Sequence, residues 1–250
     1  MAIRGVLFDL GDTLVTQEAL VGSPSNRQGA AQVAEALGQL TEVAPTAEQL
    51  TDPLGETLQE ALIESYQGEC AVPDARRAFL EVLDRFDLEP PSELIDLLLP
   101  MYFGPHYARM TVDPLAVRTL ELLRRADVRT AIVGNLIHGE ELLVERLRAF
   151  DLLRLVDALV LSTESGWMKP HPVAYREALR RLDVPAADAV MVGDDLEVDV
   201  RAPQALGLRA IWLRRDAPSG PASVTPDAII NDLGGLIPAI AELDAAEAPS

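Results

Sequence analysis

From Thr111 onward the chain alternates stretches of helical spacing with short apolar runs. That alternation restricts it to a parallel sheet covered by helices on both faces. Helices are predicted over Leu115 to Arg125, Glu140 to Phe150, Val173 to Leu182 and Asp199 to Leu206, the last bent near Pro203. Between them, Thr130 to Val133, Ala158 to Leu161, Ala189 to Val192, Ala210 to Leu213 and a short Ala228 to Ile230 read as strands. These runs are apolar on both faces, as buried parallel strands must be. A last helix, about Leu233 to Leu243, leads into an Ala/Glu/Pro/Ser tail expected to fray.

One more such strand opens the chain. In Gly5 to Val15, GVLFDLGDTLV, the run Val6 to Phe8 flows into Asp9, Gly11, Asp12 and Thr13. In an open α/β sheet, ligands bind outside the carboxyl ends of the strands, so carboxylates placed there are candidates for chemistry. The same residues also make ordinary turn hydrogen bonds, and this stretch alone leaves both possibilities open. The expected fold is α/β, a Rossmann-like parallel sheet with helices on both faces, plus a small all-helical domain.

That helical domain is predicted between Val15 and about Arg109, where no convincing second strand occurs. Ser25 and Gln28 form a capping-box pattern ahead of Ala30, Val33, Ala34 and Leu37. Thr46 and Gln49 repeat it before Leu50, Leu54, Leu58 and Leu62, with Pro53 and Gly55 suggesting a start nearer Leu54. A third helix is expected from Asp74 to Phe86, and a fourth after Pro91 that stops near Pro100. The expected division is therefore 1–15 and 110–235 for the core, 16–109 for the helical part, and 236–250 for a helix end and tail.

With 250 residues, 48% of them hydrophobic, the chain can bury one large core or two unequal ones. Its formal net charge of −19 repels nucleic acid and anionic membrane surfaces, so neither is expected as a partner. No apolar run is long enough to cross a bilayer, Asp9 interrupts any signal-peptide pattern, and Cys70 is the one cysteine. A cytoplasmic location is expected. Of the 21 basic residues, 20 are Arg, and the single lysine is Lys169. A compositional bias toward Arg explains the twenty and leaves the exception unexplained.

Three strand ends and the loop holding Lys169 carry groups suited to phosphate chemistry. Asp9 can act as a carboxylate nucleophile, dividing one hard displacement into two easier ones. Asp194, Asp195 and Asp199 cluster after another strand. Mg²⁺ is held by one or two carboxylates with water and substrate phosphate, so Asp9 with this cluster makes a candidate site for it. Lys169 supplies a compact ammonium. Taken singly, the acidic cluster also reads as a solvated turn at a helix start, and Lys169 as a surface lysine.

In register, these motifs resemble the haloacid dehalogenase superfamily of phosphatases and related hydrolases. FDLGDTL resembles its first motif, with Asp9 in the nucleophile position, and IVGN, Ile132 to Asn135, sits where its second motif ends in Ser or Thr. GWMKPHPVAY, Gly166 to Tyr175, resembles the third, with Lys169 as its lysine, and VGDDLEVDV, Val192 to Val200, the fourth, with Asp194 and Asp199 as its acidic pair. The resemblance implies a Mg²⁺-dependent phosphatase of a small phosphorylated metabolite, acting through an aspartyl-phosphate on Asp9, with the helical insertion as a cap. It further implies metal contacts from Asp9, the Gly11 carbonyl, Asp194 and Asp199, and phosphate contacts from Lys169 and the backbone N–H groups of Gly134 and Asn135.

Two positions depart from the family pattern. Phosphatases of the family carry a second aspartate two residues after the nucleophile, where this chain has Gly11; Asp12 is the candidate replacement. Gly134 stands where a hydroxyl would bind phosphate. Together they support an alternative, a catalytically weak or inactive phosphate-binding or regulatory protein. Two other family activities fit less well: the helical part has no lysine for a Schiff base, and the dehalogenases lack the acidic fourth motif that Asp194 and Asp199 supply. His106 is expected to pack at a hinge or border substrate, His138 to line an entrance or lie exposed, and His171, Trp167 and Trp212 to be structural.

Overall fold

The apolar runs pair as the sequence pattern requires. In a computed structural model, which describes residues 2–215 and 224–246, β1 (Gly5–Phe8) is followed by a two-residue strand, β2 (Val15–Thr16). Four helices follow: α1 (Pro24–Gly38), α2 (Ala47–Gln67), α3 (Ala75–Asp84) and α4 (Ser92–Arg109). The two residues of β3 (Thr111–Val112) pair with β2. Then come α5 (Ala116–Arg125), β4 (Arg129–Gly134), α6 (Glu140–Ala149), β5 (Ala158–Leu161), the single turn α7 (Ser162–Ser165) and α8 (Pro172–Leu182). The chain continues with β6 (Ala189–Gly193), α9 (Ala202–Gln204), β7 (Arg209–Leu213), β8 (Ala228–Ile230) and α10 (Leu236–Ala246).

Six strands form one parallel sheet in the order β5-β4-β1-β6-β7-β8. β1 pairs with β4 from Gly5↔Arg129 to Phe8↔Ile132, and with β6 from Gly5↔Ala189 to Phe8↔Val192. Chain order thus runs outward from β1 on one side through β4 and β5, and on the other through β6, β7 and β8. β1 is the topological switch point, where an open α/β sheet leaves a crevice at its strand ends. β1 is wholly buried, and α8 covers it with Ala174, Tyr175 and Ala178 packed against Leu7, Val133 and Met191.

The chain divides into two compact units: Met1–Thr16, Val112–Asn135 and Leu147–Ser250 form one, Gln17–Thr111 and Leu136–Arg146 the other. Leu136–Arg146 thus group with the helical unit, although their spacing assigns them to the core. Within the helical unit two glycines set how closely helices approach. A Cβ on Gly29 would lie 2.3 Å from the Tyr102 carbonyl oxygen of α4, and one on Gly55 would lie 2.8 Å from the Asn26 amide of α1. The Tyr102 hydroxyl donates to Asn26 Oδ1 at 2.8 Å, and Phe79 meets the Tyr102 ring edge-on.

Several boundaries differ from the expected ones. Ser23, not Ser25, caps α1: Pro24 occupies the first turn and Ser23 accepts from the Asn26 N–H, while the Ser25 N–H goes to Glu18. α2 begins at Ala47 rather than near Leu54, because both halves of the Thr46/Gln49 capping box form. Pro53 then removes only one backbone bond, and buried Leu50, Leu54 and Leu58 hold the helix through it. α4 does not stop at Pro100. It runs through Pro100 and Pro105 because Tyr102, Phe103 and Tyr107 are buried on the far side of the first proline. The helix expected from Asp199 begins at Leu196 as a wider π-type turn, since Asp195 caps it through the N–H groups of Glu197 and Val198. β2, β3 and α7 are too short for periodicity to reveal. The last four residues of the expected tail, 247–250, lie outside the described residues. Among the described residues no helix is long and apolar enough to cross a membrane.

Candidate active site

Asp9 follows Phe8 at the end of β1, and its N–H still donates to Val192 O of β6 at 2.9 Å, so the strand's geometry fixes where its carboxylate starts. Asp194 follows Gly193 at the end of β6, and Asp199 lies one turn into the helix that Asp195 caps. One oxygen of each of Asp9, Asp194 and Asp199 falls within 4.8 Å of the others. Gly193 permits this approach: a Cβ there would stand 2.2 Å from Asp199 Oδ2.

Lys169 reaches the same point from the loop after α7. Its Nζ donates to Asp9 Oδ1 at 2.6 Å and to Asp199 Oδ1 at 2.8 Å. It is only 1% exposed, so a surface role is excluded for this chain's one lysine. Burial acts to lower the lysine's pKa, but Asp199 and Asp9 outweigh it and keep the ammonium charged. Burial also lifts Asp199 above the ordinary carboxylate range; the Lys169 ammonium opposes that rise and Asp9 adds to it. Asp194 is pushed up to about 6 by burial and by the charges of Asp9 and Asp12. Three carboxylates facing one ammonium leave negative charge uncompensated. A hard divalent cation with oxygen ligands fits that donor set.

The other expected site residues stand outside the carboxylate cluster itself. Asp12 is exposed at φ 54° and stands outside the carboxylate cluster. Its N–H donates to Val15 O at 2.6 Å, and its carbonyl accepts from Arg215 Nε at 2.8 Å. Gly11 is half-buried and forms a bridge with Val15. Gly134 ends β4 in a buried position, where a Cβ would meet Leu161 Cδ2 at 3.2 Å and Leu10 Cδ2 at 3.4 Å. The side chain of Asn135 is turned to Lys169: Oδ1 accepts the Lys169 N–H at 2.7 Å, and Nδ2 donates to the Lys169 carbonyl at 2.8 Å. Asp195 is committed to its cap.

Several supporting residues escape the sequence. Thr13 Oγ1 donates to Asp194 Oδ1 at 3.4 Å. Trp212, expected only to pack, also donates its indole N–H to the Asp194 carbonyl at 2.9 Å. Arg215 ties the turn down, binding the carbonyls of Asp12 and Thr13 and the buried Asp113 carboxylate. No periodicity or spacing marks such contacts; only the position of Trp212 on the strand beside β6 hints at one. His171 is structural as expected: it caps α8 and stacks on Trp167. His106 and His138 belong to the helical unit, where His106 packs against Tyr107 and His138 against Phe103.

The model of the haloacid dehalogenase-like hydrolases matches residues 3–207. The ribulose-1,5-bisphosphate 5-phosphatase of Halopiger xanaduensis is 38% identical over 110 residues, a match that spans 44% of this chain and 45% of that protein. The glyceraldehyde 3-phosphate phosphatase of Methanopyrus kandleri is 27% identical over 213 residues, 85% of this chain and 84% of that one. Among solved structures, a 2-haloacid dehalogenase from Pseudomonas syringae pv. Tomato DC3000 has a TM-score of 0.72 at 25% identity, covering 96% of this chain and 99% of that chain. Because the family model matches residues 3–207 of the 250, the chain belongs to the haloacid dehalogenase-like hydrolases.

Proposed function

We propose that this hydrolase is a Mg²⁺-dependent phosphatase of a small phosphorylated metabolite, working through an aspartyl-phosphate on Asp9. The observation that carries the reading is the buried Lys169 ammonium shared between Asp9 and Asp199, with Asp194 completing the cluster. The relatives named as phosphatases of ribulose 1,5-bisphosphate and glyceraldehyde 3-phosphate support the substrate class. The acidic pair Asp194 and Asp199 favours it over metal-free dehalogenation.

In this mechanism an Asp9 oxygen attacks phosphorus, and the ester P–O bond breaks with its electron pair leaving on the alcohol oxygen. Water then attacks the aspartyl-phosphate, releases inorganic phosphate and restores Asp9. Lys169 orients Asp9 beforehand and offsets phosphoryl charge during transfer. Backbone N–H groups at Gly134 and Asn135 would receive phosphate oxygens. Asp9, Asp194, Asp199 and the Gly11 carbonyl would hold Mg²⁺, which when bound screens carboxylate from phosphate and stabilises the transferring charge. Gly11 brings no carboxyl to the leaving oxygen, and Asp12 is the adjacent candidate for that proton transfer.

The bare backbone at Gly11 and Gly134 favours a second reading, a protein that binds phosphate and hardly turns it over. A screen of phosphomonoesters with Mg²⁺, run beside 2-haloacids, separates the possibilities. Turnover of a phosphoester that Asp9→Asn abolishes and chelation removes is the expected result. Full activity in Asp9→Asn would sink the mechanism, and phosphate binding without turnover of any ester would favour the second reading.

A further inference from the structure

Lys169 lies in irregular chain between α7 and α8, where no strand or helix ladder serves its peptide groups. Pro170 follows it and has no N–H to contribute. Buried peptide groups must still be paired. Among the described residues Asn135 does this, accepting the Lys169 N–H at 2.7 Å and donating to the Lys169 carbonyl at 2.8 Å. A primary amide offers both a donor and an acceptor on one rigid plane; Asp lacks the donor, Ala lacks both, and Gln stands one methylene further off.

Asn135 is itself fixed by the sheet. It directly follows β4, which pairs with β1 in the register Phe8↔Ile132, so it lies three residues beyond the partner of Phe8 while Asp9 lies one beyond Phe8. We infer that Asn135 is the positioning residue for Lys169: its side-chain amide holds the lysine's peptide unit in register with the end of β1, so that the buried ammonium reaches Asp9. The inference rests on the reading of Asp9 and Lys169 as the phosphoryl-transfer pair, and gives the Asn135 side chain a different task from phosphate contact. Lys169 has a flexible four-carbon stem, so a fixed root acts together with Asp9 and Asp199 in setting where its ammonium stands.

The sequence contains one lysine, which makes a direct test possible. Protein labelled with ¹⁵N and ¹³Cε lysine gives one lysine backbone amide signal and one Cε signal, both from Lys169. In Asn135→Ala, amide hydrogen exchange at Lys169 should rise about two- to tenfold, the loss of one ordinary hydrogen bond. The Cε resonance should shift, and kcat should fall on the order of 10- to 100-fold with KM changed less. Asn135→Asp keeps the acceptor for the Lys169 N–H, so it should fall between wild type and Asn135→Ala. Unchanged amide exchange, an unchanged Cε resonance, or an unchanged kcat beside altered NMR signals would overturn the inference. If the wild-type protein turns over no phosphoester, the function proposed above fails, and the two NMR signals still decide whether Asn135 places Lys169. Should Asn135→Ala not fold, Asn135→Ser carries the same measurements.

Discussion

At residue 12 the backbone enters the left-handed region, φ 54°, which costs an L-residue roughly 1–2 kcal/mol and Asp somewhat less. Gly11 lies outside that region. The residue without a side chain therefore stands where the backbone does not require it, and a carboxylate occupies the position that favours glycine. Asp12→Gly should raise stability by about 0.5–1 kcal/mol, read as an increase in melting temperature. In the double variant Gly11→Asp with Asp12→Gly, a carboxyl stands two residues after Asp9, and kcat should rise on the order of 100-fold if proton transfer to the leaving oxygen limits the rate. A loss of that size in Asp12→Gly alone would instead identify Asp12 as the proton donor. A second residue-scale effect concerns His106. Burial lowers its pKa from the ordinary 6.5, and nearby Glu18 only partly opposes this. The unfolded chain therefore binds the proton more readily, so this contribution to stability is present above about pH 6.5 and is lost as the pH falls through the lower folded value. Melting curves between about pH 7 and pH 5 should show a smaller loss for His106→Asn than for wild type. An equal loss would place the acid sensitivity elsewhere.

At the scale of elements, what the sequence discloses depends on how local the cause is. The strands that carry Asp9 and Asp194 are short apolar runs buried on both faces, and such runs declare themselves. Their ends then locate the carboxylates without any knowledge of packing. The Asn135–Lys169 pairing is different, because it joins residues 34 positions apart and needs the order of strands in the sheet. That order follows from crossover geometry and has no local signal. Helix ends fail for the opposite reason: Pro53 and Pro100 are strong local stops, and distant burial overrides both. Glycines show the same divide. Gly29 looks like any weak point in α1, yet its missing Cβ is what lets the Tyr102 carbonyl approach. Gly29→Ala should therefore destabilise the protein by about 1–3 kcal/mol in denaturant unfolding, the cost of overpacking a filled interface. Gly38, in the last turn of the same helix, has nothing within 4 Å of an added Cβ, and Gly38→Ala should be neutral or slightly stabilising. Equal effects at the two positions would remove close packing as the explanation.

On the scale of the whole molecule, the proposed chemistry works against the protein's own field. A formal charge of −19 repels a phosphate ester long before it meets the strand ends, while the one lysine in the sequence is buried against two carboxylates. Mg²⁺ can reverse the sign of the field within the site, but not over the distance from which substrate approaches. That distance depends on salt: charges are felt over about 30 Å at 0.01 M ionic strength and about 8 Å at 0.15 M. For a dianionic phosphoester at saturating Mg²⁺, kcat/KM should therefore rise with added KCl across this range, on the order of two- to tenfold. The change should lie in KM, because screening alters encounter and binding while leaving the buried Lys169–Asp9 contact untouched. Steady-state kinetics at several KCl concentrations measures it. A KM that climbs with salt would mean that local positive charge, and not the net charge, governs how the substrate arrives.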